Sequence, residues 1–406
     1  MGLQLPHGRP HRLHGTATLK ASITSVDVAG KRILVREDLN VPMSKGAISD
    51  DARIRAAIPT LLHLAQRGAM VIVMSHLGRP KGVEPDLSLR PVSMHLARAL
   101  DREVHFAEDC VGEPARVAVG KLQNGQVLLL ENVRFHPEDE ANDPDFAHRL
   151  ASLGELYVND AFAASHRAHA SVVGVAAYLP AFAGELMEAE LAALHQALDN
   201  PRRPMLAVVG GAKVSTKVGV LRNLLAKVDA LLIGGAMANT FFKARGYPTG
   251  TGLVEVSALG EAREVAEKAG RKLLLPVDLV CARRMEAGQP LRIMEADAVE
   301  AGWMALDIGP RSVALFTQRL RGAGAVVWNG PVGVSEIRDF SDGTKAVGEA
   351  IANSGGYTLV GGGDTVAAVD ALGLARRFSH VSTGGGATLE YLEGKELPGI
   401  AMLKEA

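Results

Sequence analysis

The feature that most constrains this chain is a unit it repeats: a short run of Val, Leu and Ile, a glycine or polar turn, then an amphipathic stretch with helical spacing. The runs fall at 32–36, 69–74, 103–106, 126–130 and 155–158, and again at 205–209, 230–233, 272–275, 325–328, 357–360 and 380–382. They are continuously apolar instead of alternating, which is the pattern of parallel strands covered by helices on both faces. At 406 residues the chain also exceeds what one hydrophobic core usually serves. The expected fold is therefore α/β, with two doubly wound, parallel-sheet, Rossmann-like domains and ligands in the cleft between them.

Between the two sets of runs, residues 185–198 place Leu186, Leu191, Leu194 and Leu198 mostly at i, i+3 and i+4 before Asn200-Pro201-Arg202-Arg203-Pro204 ends the pattern. This predicts an interdomain helix and linker over 185–203. One domain is expected over 19–184, completed by the C-terminal segment 390–406, and the other over 204–389. Residues 1–18 read as a mobile extension, because Pro6, Gly8, Pro10 and Gly15 interrupt any period. They interrupt as well the helix that would align His7, His11 and His14 for a metal ion.

Lys plus Arg number 44 and Asp plus Glu 45, so no general field favours nucleic acid or an anionic membrane. Any anion must be held by a local cluster. No uncharged apolar run approaches the length of about 18 residues needed to span a bilayer. The two cysteines, Cys110 and Cys281, exclude a disulfide scaffold and suit a reducing compartment, so a cytoplasmic protein is expected.

In open α/β sheets ligands gather beyond the carboxyl ends of the strands. In the first half those ends carry Asp38-Leu39-Asn40, then Ser75-His76-Leu77-Gly78-Arg79-Pro80, Glu131-Asn132-Val133-Arg134-Phe135, and Asn159-Asp160 running into His166-Arg167-Ala168-His169. Arg53 opens the helix after the first strand. Arg53, Arg79, Arg134 and Arg167 thus meet on one rim of a neutral molecule, which points to a small substrate carrying several negative charges.

The second half carries Gly210-Gly211-Ala212-Lys213 and Lys217, then Gly234-Gly235, Asn329-Gly330-Pro331, Gly361-Gly362-Gly363-Asp364-Thr365 and Thr383-Gly384-Gly385-Gly386. Glycines between strand and helix let backbone N–H groups approach phosphate, and the helix dipole favours it. Lys213 and Lys217, four apart, are expected on one helical face and within reach of phosphate oxygens, and Asp364 is a hard oxygen ligand suited to Mg²⁺. Neither a G-x-x-x-x-G-K-[ST] nor a G-x-G-x-x-G motif occurs, so a P-loop, a Rossmann dinucleotide fingerprint and a protein-kinase loop are all unsupported.

From about residue 20 to its end the chain resembles the phosphoglycerate kinase family. The resemblance is carried by Val35-Arg36-Glu37-Asp38-Leu39-Asn40-Val41-Pro42, Ser75-His76-Leu77-Gly78-Arg79-Pro80, Glu131-Asn132-Val133-Arg134-Phe135-His136, His166-Arg167-Ala168-His169, Gly210 through Lys217, Trp328-Asn329-Gly330-Pro331 and Gly361 through Thr365. It implies reversible phosphoryl transfer between the acyl phosphate of 1,3-bisphosphoglycerate and MgADP, giving 3-phosphoglycerate and MgATP, in a monomer. By resemblance, Asp38, Asn40, Arg53, His76, Leu77, Gly78, Arg79, Arg134 and Arg167 bind the phosphoglycerate. Lys217, Glu336, Gly362, Gly363, Asp364 and Thr365 bind the nucleotide, Asp364 holds the metal, and Arg53, Lys213 and Gly386 serve the transferred group. Three features depart from the family pattern: Glu37 replaces a usual apolar residue, Ser335 replaces the phenylalanine before Glu336, and the first 18 or so residues are extra.

Two other readings remain at this point. One is a two-domain nicotinamide-dependent dehydrogenase, which the missing fingerprint disfavours. The other is an inactive binding protein of the same fold, whose mark would be loss of Arg53, Lys213, Lys217 or Asp364, all of which are present.

Overall fold

The computed structural model describes residues 20–44 and 46–406. The expected N-terminal extension, with His7, His11 and His14, lies outside them. Seventeen strands form among the described residues: β1 Arg32–Arg36, β2 Met43–Ser44, β3 Ala47–Ile48, β4 Met70–Met74, β5 Val104–Phe106, β6 Val127–Leu129, β7 Leu156–Asn159, β8 Ala181–Ala183, β9 Met205–Val209, β10 Ala230–Ile233, β11 Leu273–Leu274, β12 Asp278–Ala282, β13 Arg292–Glu295, β14 Met304–Ile308, β15 Ala325–Asn329, β16 Tyr357–Val360 and β17 His380–Val381.

Two parallel six-stranded sheets result, in the orders β5-β6-β4-β1-β7-β8 and β11-β10-β9-β15-β16-β17. In the first, β1 lies between β4 and β7; in the second, β9 lies between β10 and β15. Each chain direction therefore reverses beside the first strand of its own sheet. That reversal opens a crevice at the carboxyl ends of β1 and β7, and another at those of β9 and β15. All eleven expected runs form strands, most trimmed by a residue or two at an end.

Three features escaped the sequence pattern. Strand β8 is only Ala-Phe-Ala, between Pro180 and Gly184, too short to show a period. The antiparallel sheet β13-β12-β14 was not expected because β13 is mostly exposed and carries charge at both ends. The small hairpin β2-β3 falls between β1 and the helix Ala52–Gln66 that holds Arg53.

The helix between the sheets spans Glu185–Leu198, as its leucine spacing predicts. Its Met187, Leu194 and Ala197 belong to an apolar cluster that runs without interruption from Leu34 and Phe162 through Val209 and Leu231 to Leu392 and Leu403. The C-terminal residues return to the first sheet: Asn159 Nδ2 donates to Gly399 O at 2.8 Å, and Lys404 N donates to Ala181 O at 3.0 Å. No helix among the described residues is long and apolar enough to cross a membrane.

Candidate functional site

At the end of β1, Asp38 is buried and both its oxygens accept from Arg53 Nη1, at 3.0 and 2.9 Å. The first helical turn thus delivers Arg53 to the rim, held by a carboxylate that leaves the rest of its guanidinium free. Asn40 Oδ1 accepts from Gly78 N at 2.9 Å, while Arg134 Nη1 donates to Gly78 O at 2.7 Å. Gly78 has φ +64, and a β-carbon there would lie 2.8 Å from Leu87. The loop after β4 is therefore clamped at one residue between the loops after β1 and β6, where the left-handed backbone and the nearby Leu87 favour glycine.

His76 is buried, and its Nδ1 accepts from Arg36 Nη2 at 3.1 Å. Burial pushes its pKa well down, and the charges of Arg36, Arg134, Arg167 and Arg53 push it further. His76 is therefore a neutral imidazole, its Nδ1 taken by Arg36 and its proton on Nε2. Arg36 was missed in the sequence, where it reads as the last residue of an apolar strand. It is 1% exposed, donates to Ser171 Oγ at 3.1 Å, and also donates to Glu37 O. A buried arginine in a strand end beside Asp38 was the available signal. Arg79 stands exposed on the outer part of the loop, and Leu77 is buried with its N–H donating to Asn132 Oδ1 at 3.2 Å.

In the second sheet the loops after β9 and β15 cross backbone against backbone. A β-carbon on Gly210 would lie 2.0 Å from Pro331 O, and one on Gly330, at φ +99, would lie 2.3 Å from Gly210 O. Lys217 Nζ fills the crevice between them, donating to Gly210 O at 2.8 Å and Asn329 O at 3.2 Å. Burial lowers its pKa to about 8, with Asp364 opposing the shift.

The expectation that Lys213 and Lys217 share a helical face is not met. The helix begins at Val218, and both lysines lie in the preceding turn, where Thr216 Oγ1 donates to Lys213 O at 3.0 Å. Lys217 folds inward while Lys213 stays exposed.

Gly362, at φ +92, precedes the helix Gly363–Ala371, which carries Asp364 exposed in its first turn. Thr365 is buried and holds the loops together: its Oγ1 accepts from Gly330 N at 2.6 Å and donates to Gly361 O at 2.9 Å. Glu336 is exposed on the loop after β15.

The segment after β17 joins the two halves. A β-carbon on Gly384 would lie 2.3 Å from Phe162, and one on Gly386 would lie 3.6 Å from His166 Nε2. The N-terminus of the helix Gly386–Leu392 thus lies against the first-sheet loop that carries Arg167. Glu190, on the interdomain helix, also escaped the sequence reading. Its buried carboxylate accepts from His380 Nε2 at 2.9 Å, Ser382 Oγ at 2.8 Å, Thr383 N at 2.7 Å and Thr383 Oγ1 at 2.8 Å.

A family model described as phosphoglycerate kinase matches residues 23–395. The chain belongs to the phosphoglycerate kinase family. Curated relatives agree: the phosphoglycerate kinase of Moorella thermoacetica is 54% identical over 390 residues, covering 95% of this chain and 99% of that one. That of Synechococcus sp. (strain JA-3-3Ab) is 54% identical over 400 residues, covering 94% and 97%. Among solved structures, phosphoglycerate kinase from Coxiella burnetii superposes with a TM-score of 0.87 at 43% identity, covering 94% of this chain and 98% of that one. The enzyme from Pyrococcus horikoshii OT3 gives 0.83 at 32% identity over the same shares. Membership of this kinase family sets aside the dehydrogenase reading.

Proposed function

We propose that the chain moves a phosphoryl group reversibly between the acyl phosphate of 1,3-bisphosphoglycerate and MgADP, by direct in-line transfer after the two domains close on each other. The observation that carries this reading is the pairing of a rim of Arg36, Arg53, Arg134 and Arg167 about neutral His76 with a glycine-lined crevice holding Lys217. Guanidinium forks suit the carboxylate and phosphate of a phosphoglycerate, and backbone N–H groups at helix starts suit a polyphosphate.

In this reading Asp38, Asn40, His76 and the clamped Gly78 loop orient the phosphoglycerate, with Arg79 closing over it. Gly362 through Thr365 and Glu336 border the nucleotide. Asp364 fits a magnesium ion, since it offers an exposed hard-oxygen donor beside Lys217, and would be the residue that holds it. The ion would neutralise charge on the phosphates. Arg53, Lys213 and the helix start at Gly386 would neutralise charge on the group in flight.

Both acceptor oxygens, a carboxylate and a β-phosphate, are already anionic, so no general base is required. A neutral His76 that accepts from Arg36 suits a positioning hydrogen bond to substrate from Nε2, with no phosphohistidine relay. We place the enzyme in the cytoplasm as a monomer, with Cys110 and Cys281 both buried free thiols.

Incubation with 3-phosphoglycerate and MgATP, trapping acyl phosphate with hydroxylamine, tests the reaction. Hydroxamate above the background of nucleotide-free controls is expected, and its absence would end this reading. Small-angle scattering tests closure: both substrates together should compact the protein, and unchanged dimensions would count against closure.

A further inference from the structure

Away from the cleft, three side chains of different chemistry meet beyond the carboxyl ends of β5 and β6. Asp109 and Cys110 belong to the loop between β5 and the helix Gly112–Gly120, and His136 follows the turn that carries Arg134. A carboxylate oxygen of Asp109, the thiol of Cys110 and a ring nitrogen of His136 all lie within 4.8 Å of one another. Among the described residues no other set of three or more such side chains gathers so closely.

The set is held in place from both sides. Asp109 Oδ1 accepts from Cys110 N at 2.7 Å and from His136 Nε2 at 2.7 Å. The His136 ring is braced by Phe146, with centroids 5.2 Å apart. The thiol forms the floor, since Cys110 is 0% exposed, while the side chains of Asp109 and His136 are 37% and 26% exposed. An ion above the thiol would meet two further protein ligands and open water, as a three-ligand tetrahedral site requires.

We propose that Asp109, Cys110 and His136 form a binding site for a soft or borderline divalent cation such as Zn²⁺, separate from the magnesium of the nucleotide. A thiolate, an imidazole and a carboxylate select zinc or cobalt over magnesium, which prefers oxygen and water. Zinc bonds of about 2.0–2.3 Å set ligand atoms about 3.3–3.6 Å apart in a tetrahedron. Occupancy therefore parts the His136–Asp109 contact by a fraction of an ångström and draws in the thiol. The thiol proton leaves to solvent, the His136 Nε2 proton that bridged to Asp109 is exchanged through water onto Nδ1 so that Nε2 can ligate, and thiolate plus carboxylate balance the ion's two charges. Such an ion ties the loop after β5 to the loop after β6, two residues from Arg134.

Titration of the full-length protein with Co²⁺, followed by visible and near-ultraviolet absorption, tests the site. The thiolate-to-cobalt charge-transfer band distinguishes it from the histidines His7, His11 and His14, which cannot produce that band. We expect one equivalent of cobalt to give the band with tetrahedral d–d transitions, unaffected by excess Mg²⁺ and removed by Zn²⁺. The band should vanish in Cys110→Ser, persist in Cys281→Ser, and need at least about tenfold more cobalt in His136→Gln. His136 is partly exposed, so that variant keeps the test decisive should Cys110→Ser not fold. No thiolate band in the parent protein, a band that survives Cys110→Ser, or an unchanged titration of His136→Gln would overturn the proposal.

Discussion

Lys217 donates its ammonium protons to the carbonyl of Gly210, 2.8 Å away, across the crevice between β9 and β15. The lysine is thereby stored on its own loop, partly desolvated, with a pKa of about 8. Below that pH it is charged and ready to exchange two carbonyls for phosphate oxygens; above it the charge is lost. Affinity for MgATP should therefore weaken as pH rises through about 8 in the parent protein. Lys217→Met should raise the KM for ATP at neutral pH by about tenfold to a hundredfold, the value of one hydrogen bond to a charged group, and should flatten that alkaline decline. Steady-state KM measured across the pH range checks both, and a decline that survives in the variant would assign it to another group.

Arg53 and Lys213 are both assigned to the transferring group, yet their surroundings differ. Arg53 is paired with buried Asp38, whereas Lys213 is exposed and its side chain makes no ion pair among the described residues. Removing a donor to a transition state typically costs ~2.7–4 kcal/mol. Arg53→Ala and Lys213→Ala should each lower turnover by about a hundredfold to a thousandfold. Only Arg53→Ala should also lower the melting temperature, because it strands the Asp38 carboxylate. Near-parental turnover in either variant would remove that residue from the mechanism.

The parallel sheets were readable because their strands are buried on both faces and so appear as unbroken apolar runs. The position of Asp38, Arg53, Arg134 and the glycine loops at the strand ends was readable because each lies in the connection that follows an apolar run. Arg36 and Glu190 were not, for a common reason: each is a charged residue buried by contacts more than a hundred residues away, to Ser171 and to Thr383 respectively. Local pattern assigns such residues to a strand end and a helix surface. Lys213 and Lys217 show the converse, since a spacing of four implied a helix where the chain forms a turn. Strand β8 stays hidden because it is too short to show a period, and the antiparallel sheet because its edge strand β13 is mostly exposed.

Glu37 is fully buried against Asp160. Its two carboxyl oxygens and Asp160 Oδ2 are buried without a hydrogen-bond partner, an arrangement suited to one proton held between the two carboxyls. Burial and the charge of Asp160 raise the Glu37 pKa well above its ordinary 4.5, and burial raises Asp160 to about 6. Asp160 Oδ1 meanwhile accepts from Met187 N at 2.9 Å at the start of the interdomain helix. A carboxyl with a raised folded-state pKa keeps its proton while the unfolded chain releases it, so stability falls as pH rises from about 4.5 towards the folded value. Glu37→Gln stays neutral and can donate its amide to Asp160. The variant should gain stability over the parent progressively as pH rises above about 4.5, measured by denaturant unfolding from acid to mildly alkaline pH. A stability difference that does not vary with pH would show that the two carboxyls share no proton.

Glu190 gathers four donors from the segment 380–383, which leads directly into Gly384 against Phe162 and Gly386 against His166. A carboxylate with no exposed surface is tolerable only while those donors satisfy it, and they in turn are oriented by it. One carboxylate therefore ties the helix Glu185–Leu198 to the segment that leads into Gly386. Glu190→Ala should cost about 1–3 kcal/mol for each buried donor it leaves unsatisfied. Glu190→Gln keeps the volume and one carbonyl acceptor, but turns an amide N–H towards a set of donors. It should fold with a smaller loss of stability and still lower turnover, because the helix start at Gly386 is no longer held in register with His166 and Arg167. Its KM values should change less than its turnover number, since Asp38, Arg53 and Lys217 are untouched. A variant with parental turnover and reduced stability alone would confine Glu190 to holding the fold.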